Sequence, residues 1–230
     1  MNARDAPIQP ETLNDGSGRL FASSIASQAL SAPGPYGDRR RSRIGLLGGS
    51  FNPAHAGHLH VAELARRRLG LDQVWLLVSP GNPLKPVAGM ASLADRLASA
   101  RRIADGRRIV ATAIEPRLGT RYTADTLRAL RRRFPRARFV WLMGADNLEQ
   151  LPHWRRWRGI AATMPFAVVP RPSYNHGALA GQAAHRLRRA RRAARLAPAL
   201  AGMAPPAWVF LPAPQHAASA SAIRAARPGA

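Results

Sequence analysis

Gly48-Gly49-Ser50-Phe51-Asn52-Pro53-Ala54-His55-Ala56-Gly57-His58 follows a short apolar run, Ile44-Gly45-Leu46-Leu47, and precedes a helix-like segment from Leu59 to Leu69. A strand, a glycine-rich turn and a helix start therefore fall together, with two imidazoles in the turn. Backbone N–H groups at a helix N-terminus favour an anion through hydrogen bonding and the helix dipole. Glycines let a phosphate approach the backbone without a Cβ in the way. His55 and His58 add side-chain donors for the same charge. The stretch is suited to a nucleoside triphosphate.

Competing glycine and histidine motifs do not fit. A P-loop requires a lysine after its last glycine, and none follows here. Gly45, Gly48 and Gly49 lack the G-x-G-x-x-G spacing of a dinucleotide fingerprint. A zinc site needs a third ligand; the H-E-x-x-H pattern is absent, no carboxylate stands at ligand spacing, and the chain has no cysteine. No resident metal is expected. The plain alternative for the histidines is two exposed loop side chains.

From Ile44 onward, strand-like and helix-like segments alternate. Apolar runs occur at 44–48, 74–79, 109–114, 139–143, 166–169 and 208–211, and helical patterns at 58–69, 92–104, 123–133 and 178–196. Continuous apolar runs alternating with helices predict βαβ units and a doubly wound, Rossmann-like parallel sheet. Ligands in such sheets bind beyond the carboxyl ends of the strands, at the topological switch point. The glycine-histidine turn, Pro80 to Lys85, and Gly144-Ala145-Asp146 all fall on that edge. Residues 1–43 carry no sustained periodicity and read as a disordered extension, with a short helix allowed around Leu20 to Leu30. Residues 44–230 then form the folded domain.

Composition narrows the class further. With no apolar run near the roughly 20 residues of a membrane span, and no secretory h-region, the sequence reads as soluble and cytoplasmic. The net charge is +23, carried almost wholly by arginine, since Lys85 is the sole lysine. Such a balance raises nucleic-acid binding as a rival class. The runs Arg186 to Arg195 and Arg131 to Arg133 lack interleaved aromatics, however, and read as solvated helix faces. No specific nucleic-acid partner is expected, although the positive field would draw anionic nucleotides toward a site.

Near the C-terminus, Ser219-Ala220-Ser221-Ala222-Ile223-Arg224 combines an N-cap serine, good helix formers and an arginine. A helix start, two hydroxyls and a guanidinium would make a second anion site, with planar bidentate bonding to phosphate. The plain alternative is an ordinary capped helix.

These motifs carry a family resemblance. Gly48 to His58 resembles the G-G-x-F-x-P-x-H-x-G-H signature of nucleotidyltransferases with the H-x-G-H motif, more narrowly of bacterial nicotinate-nucleotide adenylyltransferases. Ser219 to Arg224 is similar to that family's S-x-[ST]-x-I-R signature. Tyr122-Thr123-Ala124-Asp125-Thr126-Leu127, Gly144 to Leu148 and Leu151-Pro152-His153-Trp154 resemble its intervening motifs, in the family's order. The resemblance spans about Ile44 to Arg224. It implies transfer of the adenylyl group of ATP to nicotinate mononucleotide, with pyrophosphate released and Mg²⁺ carried by the ATP phosphates. It implies ATP contacts from Gly48, Gly49, Ser50, Phe51, His55, His58, Asp146, Ser219, Ser221, Ile223 and Arg224, with His55, His58 and Arg224 in the chemistry and Asp146 near a ribose. The mononucleotide would meet Ser50, Lys85, Tyr122, Thr123 and Trp154, the last stacking on the pyridine ring. Relatives often have P-P-H-K where this chain has Asn82-Pro83-Leu84-Lys85; Leu84 cannot donate to a phosphate, and Lys85 stands in as a point charge. The alternatives are transfer to the amide mononucleotide or another phosphate acceptor such as phosphopantetheine and, in another class, an arginine-rich nucleic-acid-binding protein.

Overall fold

A computed structural model describes residues 33–81 and 89–212. Within them, seven strands form one parallel sheet in the order β3-β2-β1-β4-β5-β7-β6. The strands are β1 (Arg43–Gly49), β2 (Gln73–Val78), β3 (Ile109–Thr112), β4 (Arg138–Gly144), β5 (Phe166–Val169), β6 (Arg191–Arg192) and β7 (Trp208–Phe210). The six apolar runs of the sequence all became strands. β1 lies between β2 and β4 in parallel register, Gly45 opposite Val74 on one side and Val140 on the other. The order runs outward one way to β3 and the other way to β4 and β5. That reversal between β1 and β4 is the switch point.

Alternation along each strand sorts the core into two layers. Leu46, Trp75, Leu77, Phe139, Trp141, Met143, Phe166 and Trp208 face one side, and Leu47, Val74, Leu76, Val140, Leu142, Ala167 and Val209 the other. The first layer holds the aromatic bulk and is covered by α4 (Thr123–Arg133) and α6 (Trp157–Thr163) through Leu127, Leu130 and Ile160. The second is aliphatic and is covered by α1 (Ala56–Arg68) and α2 (Leu93–Ile103) through Ala62, Ala65 and Ala100. Both faces of the sheet are thus buried, as parallel strands require.

Upstream of β1, Arg40 pairs with Asp38 and lays its guanidinium 5.4 Å from the Trp75 ring centroid and 5.6 Å from that of Phe134. Residues 1–32, including the segment expected to allow a short helix, lie outside the described residues. No described helix is long and apolar enough to cross a membrane.

The segment 178–196 departs from expectation. Instead of one helix it forms the end of α7 (Asn175–Ala180), α8 (Gln182–Arg186), a 3-10 turn at Arg188–Ala190, the edge strand β6 and the start of a second 3-10 segment, Ala194–Gly202. The break begins at Gly181, whose backbone is extended at φ −72° and ψ 166°. Beyond it, a continuous helix would stack like charges four residues apart, as at Arg188 and Arg192. In the fold, Arg191 and Arg192 pair with Trp208 and Val209 instead. Three short helices unmarked by periodicity also appear: α3 (Ile114–Leu118), α5 (Ala145–Gln150) and α6.

Candidate active site

A cavity of about 540 Å³ opens at the carboxyl ends of β1, β2, β4 and β5, over the switch point. Gly48, Gly49, Ser50, His55 and His58 line it from β1 and α1; Tyr122, Thr123, Asp146 and Trp154 line it from the other side. Residues distant in sequence thus converge where expected. Phe51 does not line the cavity. It is buried beneath the turn, 4.7 Å from His58 between ring centroids, and acts as packing. Lys85, Ser219, Ser221, Ile223 and Arg224 lie outside the described residues, as does Leu84.

Gly48 is there for close approach. A Cβ on it would stand 2.5 Å from Trp141 Cη2, well inside contact distance. The turn can therefore settle on the indole and leave the space above it for a ligand.

The two histidines organise the start of α1 before they do anything else. His55 is the N-cap, and its Nδ1 accepts the Gly57 N–H at 3.1 Å. His58 Nδ1 accepts the His55 N–H at 3.2 Å, closing a reciprocal capping box. The His58 N–H itself donates to the His55 carbonyl. The backbone N–H groups of His55, Gly57 and His58, expected to face an anion, are therefore engaged within the turn. With Nδ1 accepting, a neutral ring carries its proton on Nε2. Burial, reinforced by His55 and Arg171, lowers the His58 pKa to about 3. His58 is thus a neutral Nε2–H donor at physiological pH.

Opposite, Asp146 Oδ1 is shut off from solvent and has no hydrogen bond. The Arg171 Nε lies 3.5 Å away, an ion pair too long to satisfy that oxygen. A buried acceptor left in this state is poised for a ligand donor. Arg171 also lines the cavity, held from β5 by its N–H bond to Asn175 Oδ1. Nothing in the sequence distinguished it from the other arginines; only its place two residues past β5 could have.

Glu115 is a second residue missed. It is buried at the cavity wall and accepts the Thr126 hydroxyl at 2.8 Å. Burial raises its pKa, against the lowering effect of hydrogen bonds from Thr126 and Ser79. The Tyr122 ring carries the Arg155 guanidinium 4.5 Å from its centroid. Trp154 is half-buried and packs on the aromatic core layer. Among the described residues, no group of three or more His, Asp or Glu stands close enough to hold a metal ion.

Residues 46–226 match the family model described as cytidylyltransferase-like. A protein of Gluconacetobacter diazotrophicus named as a nicotinate-nucleotide adenylyltransferase is 63% identical over 196 residues, 85% of this chain and 91% of that one. A protein of the same name from Gluconobacter oxydans is 64% identical, covering 79% of this chain and 93% of its own length. Among solved structures, the nicotinic acid mononucleotide adenylyltransferase of Plasmodium falciparum complexed with NaAD superposes with a TM-score of 0.58 at 15% identity, covering 80% of this chain and 82% of that one. At that identity the match speaks for the fold.

Proposed function

The chain belongs to the nicotinate-nucleotide adenylyltransferases within the cytidylyltransferase-like family, and from that membership we infer that it transfers the adenylyl group of ATP to nicotinate mononucleotide, giving nicotinate adenine dinucleotide and pyrophosphate. The observation that carries the reading is the convergence, in one cavity, of the glycine-histidine turn, Asp146 and the Tyr122–Thr123–Trp154 wall.

The reaction asks little acid-base work of the protein. The acceptor phosphate is already anionic, so it attacks the α-phosphorus without a general base while the bond to pyrophosphate breaks. Catalysis is then alignment plus stabilisation of developing charge. His55 and His58 supply Nε2–H donors to the ATP phosphates, His58 at the α-phosphate as a preorganised neutral donor. Asp146 accepts from a ribose hydroxyl, and that bond would satisfy its orphan oxygen. Trp154 stacks on the pyridine ring, while the N-terminus of α4 at Thr123 receives the nicotinate carboxylate. The family resemblance supports assigning the β- and γ-phosphates to Ser219 and Arg224, further ATP contacts to Ser221 and Ile223, and the acceptor phosphate to Lys85.

The donor set of the cavity suits Mg²⁺ brought by ATP rather than a resident ion. Among the described residues its carboxylates are Asp146 and Glu115, and Glu115 already accepts from Thr126. Mg²⁺ keeps waters and commonly takes one or two carboxylates with substrate phosphates; Asp146 would be the protein ligand, and the ion would neutralise phosphate charge. The test is pyrophosphate release with ATP, Mg²⁺ and either the acid or the amide mononucleotide. We expect turnover to be greater on the acid. Equal or greater turnover on the amide overturns the acceptor assignment.

A further inference from the structure

Arg96 sits in the middle of the buried face of α2, 2% exposed, yet has no carboxylate within ion-pair distance among the described residues. Among the described residues, its guanidinium bonds only to backbone carbonyls. Nη1 donates to Ser50 O at 2.8 Å and to Ser79 O at 2.6 Å, Nη2 to Pro80 O at 3.2 Å, and Nε to Ala91 O at 3.0 Å. Those carbonyls come from three places: the glycine-rich turn after β1, the exit of β2, and the residue ahead of the Ser92 cap of α2. One side chain therefore ties together two walls of the cavity and both flanks of residues 82–88.

Neighbouring contacts pull the same way. One helical turn on, Ser99 Oγ accepts the Ala54 N–H at 2.9 Å. The Asn52 side chain bonds in both directions to the segment before α2, donating to Gly89 O at 3.1 Å and accepting from Ala91 N at 3.2 Å. Ser50, Asn52 and Ala54 are thus each latched to α2 or its approach. Neither Arg96 nor Ser99 lines the cavity, so substrate contact does not explain them.

A buried, unpaired cation is costly unless its donors are all used. Here the planar fork reaches four acceptors at once, a geometry lysine cannot reproduce. The consequence is directional. Carbonyls of Ser50, Ser79 and Pro80, held on Arg96, turn their negative ends away from a space meant for phosphates.

We propose that Arg96 is a positioning residue: its buried guanidinium fixes the glycine-rich turn and the β2 exit in the anion-receiving geometry. The proposal rests on the adenylyltransferase reading for its rate and ATP-binding measurements, but not for its exchange measurement. Arg96→Lys and Arg96→Gln are compared with the unaltered protein in three ways: thermal melting, kcat and KM for both substrates, and backbone hydrogen exchange over residues 48–58. The expected result is a folded Arg96→Lys protein with kcat/KM lowered about 10²-fold per folded molecule, the scale of a misaligned reacting pair. ATP binding by titration weakens, and exchange over 48–58 speeds up at least tenfold, whereas exchange in β4 is unchanged. A folded variant with unaltered exchange over 48–58 and unaltered ATP binding overturns the proposal, whatever its turnover. Absence of adenylyl transfer by the unaltered protein would instead count against the proposed activity and leave the exchange result to decide Arg96. If neither variant melts cooperatively, exchange of the Arg96 Nε–H in the unaltered protein decides. We expect it slow, as for a guanidinium held on four carbonyls; a rate as fast as that of an exposed arginine overturns the proposal.

Discussion

His55 and His58 each spend Nδ1 on a backbone N–H, and in the proposed mechanism Nε2 is the atom that meets phosphate. The pair of residues was legible in the sequence; this division of labour was not, because it depends on which nitrogen the cap uses. His58→Ala should lower kcat by about 10²-fold or more, the scale of losing a transition-state donor; steady-state rates with ATP and nicotinate mononucleotide check it. The depressed pKa also has a stability signature. In the unfolded chain His58 takes a proton near pH 6.5, and in the folded protein only near pH 3. The unfolded state therefore binds more protons between those values, and the fold loses stability as pH falls through that window. Melting curves from pH 7 to pH 3 should show a shallower acid decline in His58→Gln than in the unaltered protein. Glu115 works in the opposite sense. Its raised pKa means the folded protein holds the proton longer, so ionisation as pH rises costs stability. Glu115→Gln should accordingly melt higher than the unaltered protein at pH 8, by a margin that shrinks as pH is lowered through the carboxylate range. Arg96 and Arg171 escaped the sequence reading because, in an arginine-rich chain, a guanidinium that is buried or turned to the cavity has no local mark that separates it from a solvated one.

Elements buried on both faces announced themselves, and elements at the rim did not. The runs Ile44–Leu47, Val74–Val78 and Phe139–Met143 could be read as strands because continuous apolar sequence has few other uses in a short segment. Arg191 and Arg192 form an edge strand through backbone pairing to β7, which composition cannot reveal. The predicted helix over 178–196 failed for the complementary reason: periodic alanine and leucine suggested a helix that Gly181 and the clustered positive charge interrupt. The start of α1 offers an experiment at this scale, since a histidine is an unusual N-cap. His55→Ser should keep the helix capped, holding stability to within about 1 kcal/mol, while turnover falls about 10²-fold. Comparing chemical denaturation with kinetics separates the cap from the chemistry; parallel losses of both would count against that separation.

Across the whole molecule, a net charge of +23 accompanies a cavity proposed to accept two anions. Attraction of that kind acts on encounter and is screened within a Debye length of about 10 Å at 0.1 M salt. Raising ionic strength from 0.02 to 0.3 M should, on that scale, reduce kcat/KM for both nucleotides and leave kcat nearly unchanged. A salt effect confined to kcat would contradict steering. The sorting of the sheet into an aromatic and an aliphatic layer has an optical consequence. Trp75 and Trp208 are sealed in the interior, whereas Trp141 and Trp154 border the cavity on the aromatic side. Excitation at the red edge of the indole band excites all five tryptophans, of which a pyridine stacked as proposed would quench chiefly Trp154. The aromatic layer gives the protein an intrinsic fluorescence reporter of occupancy, one that Trp154→Phe should largely extinguish.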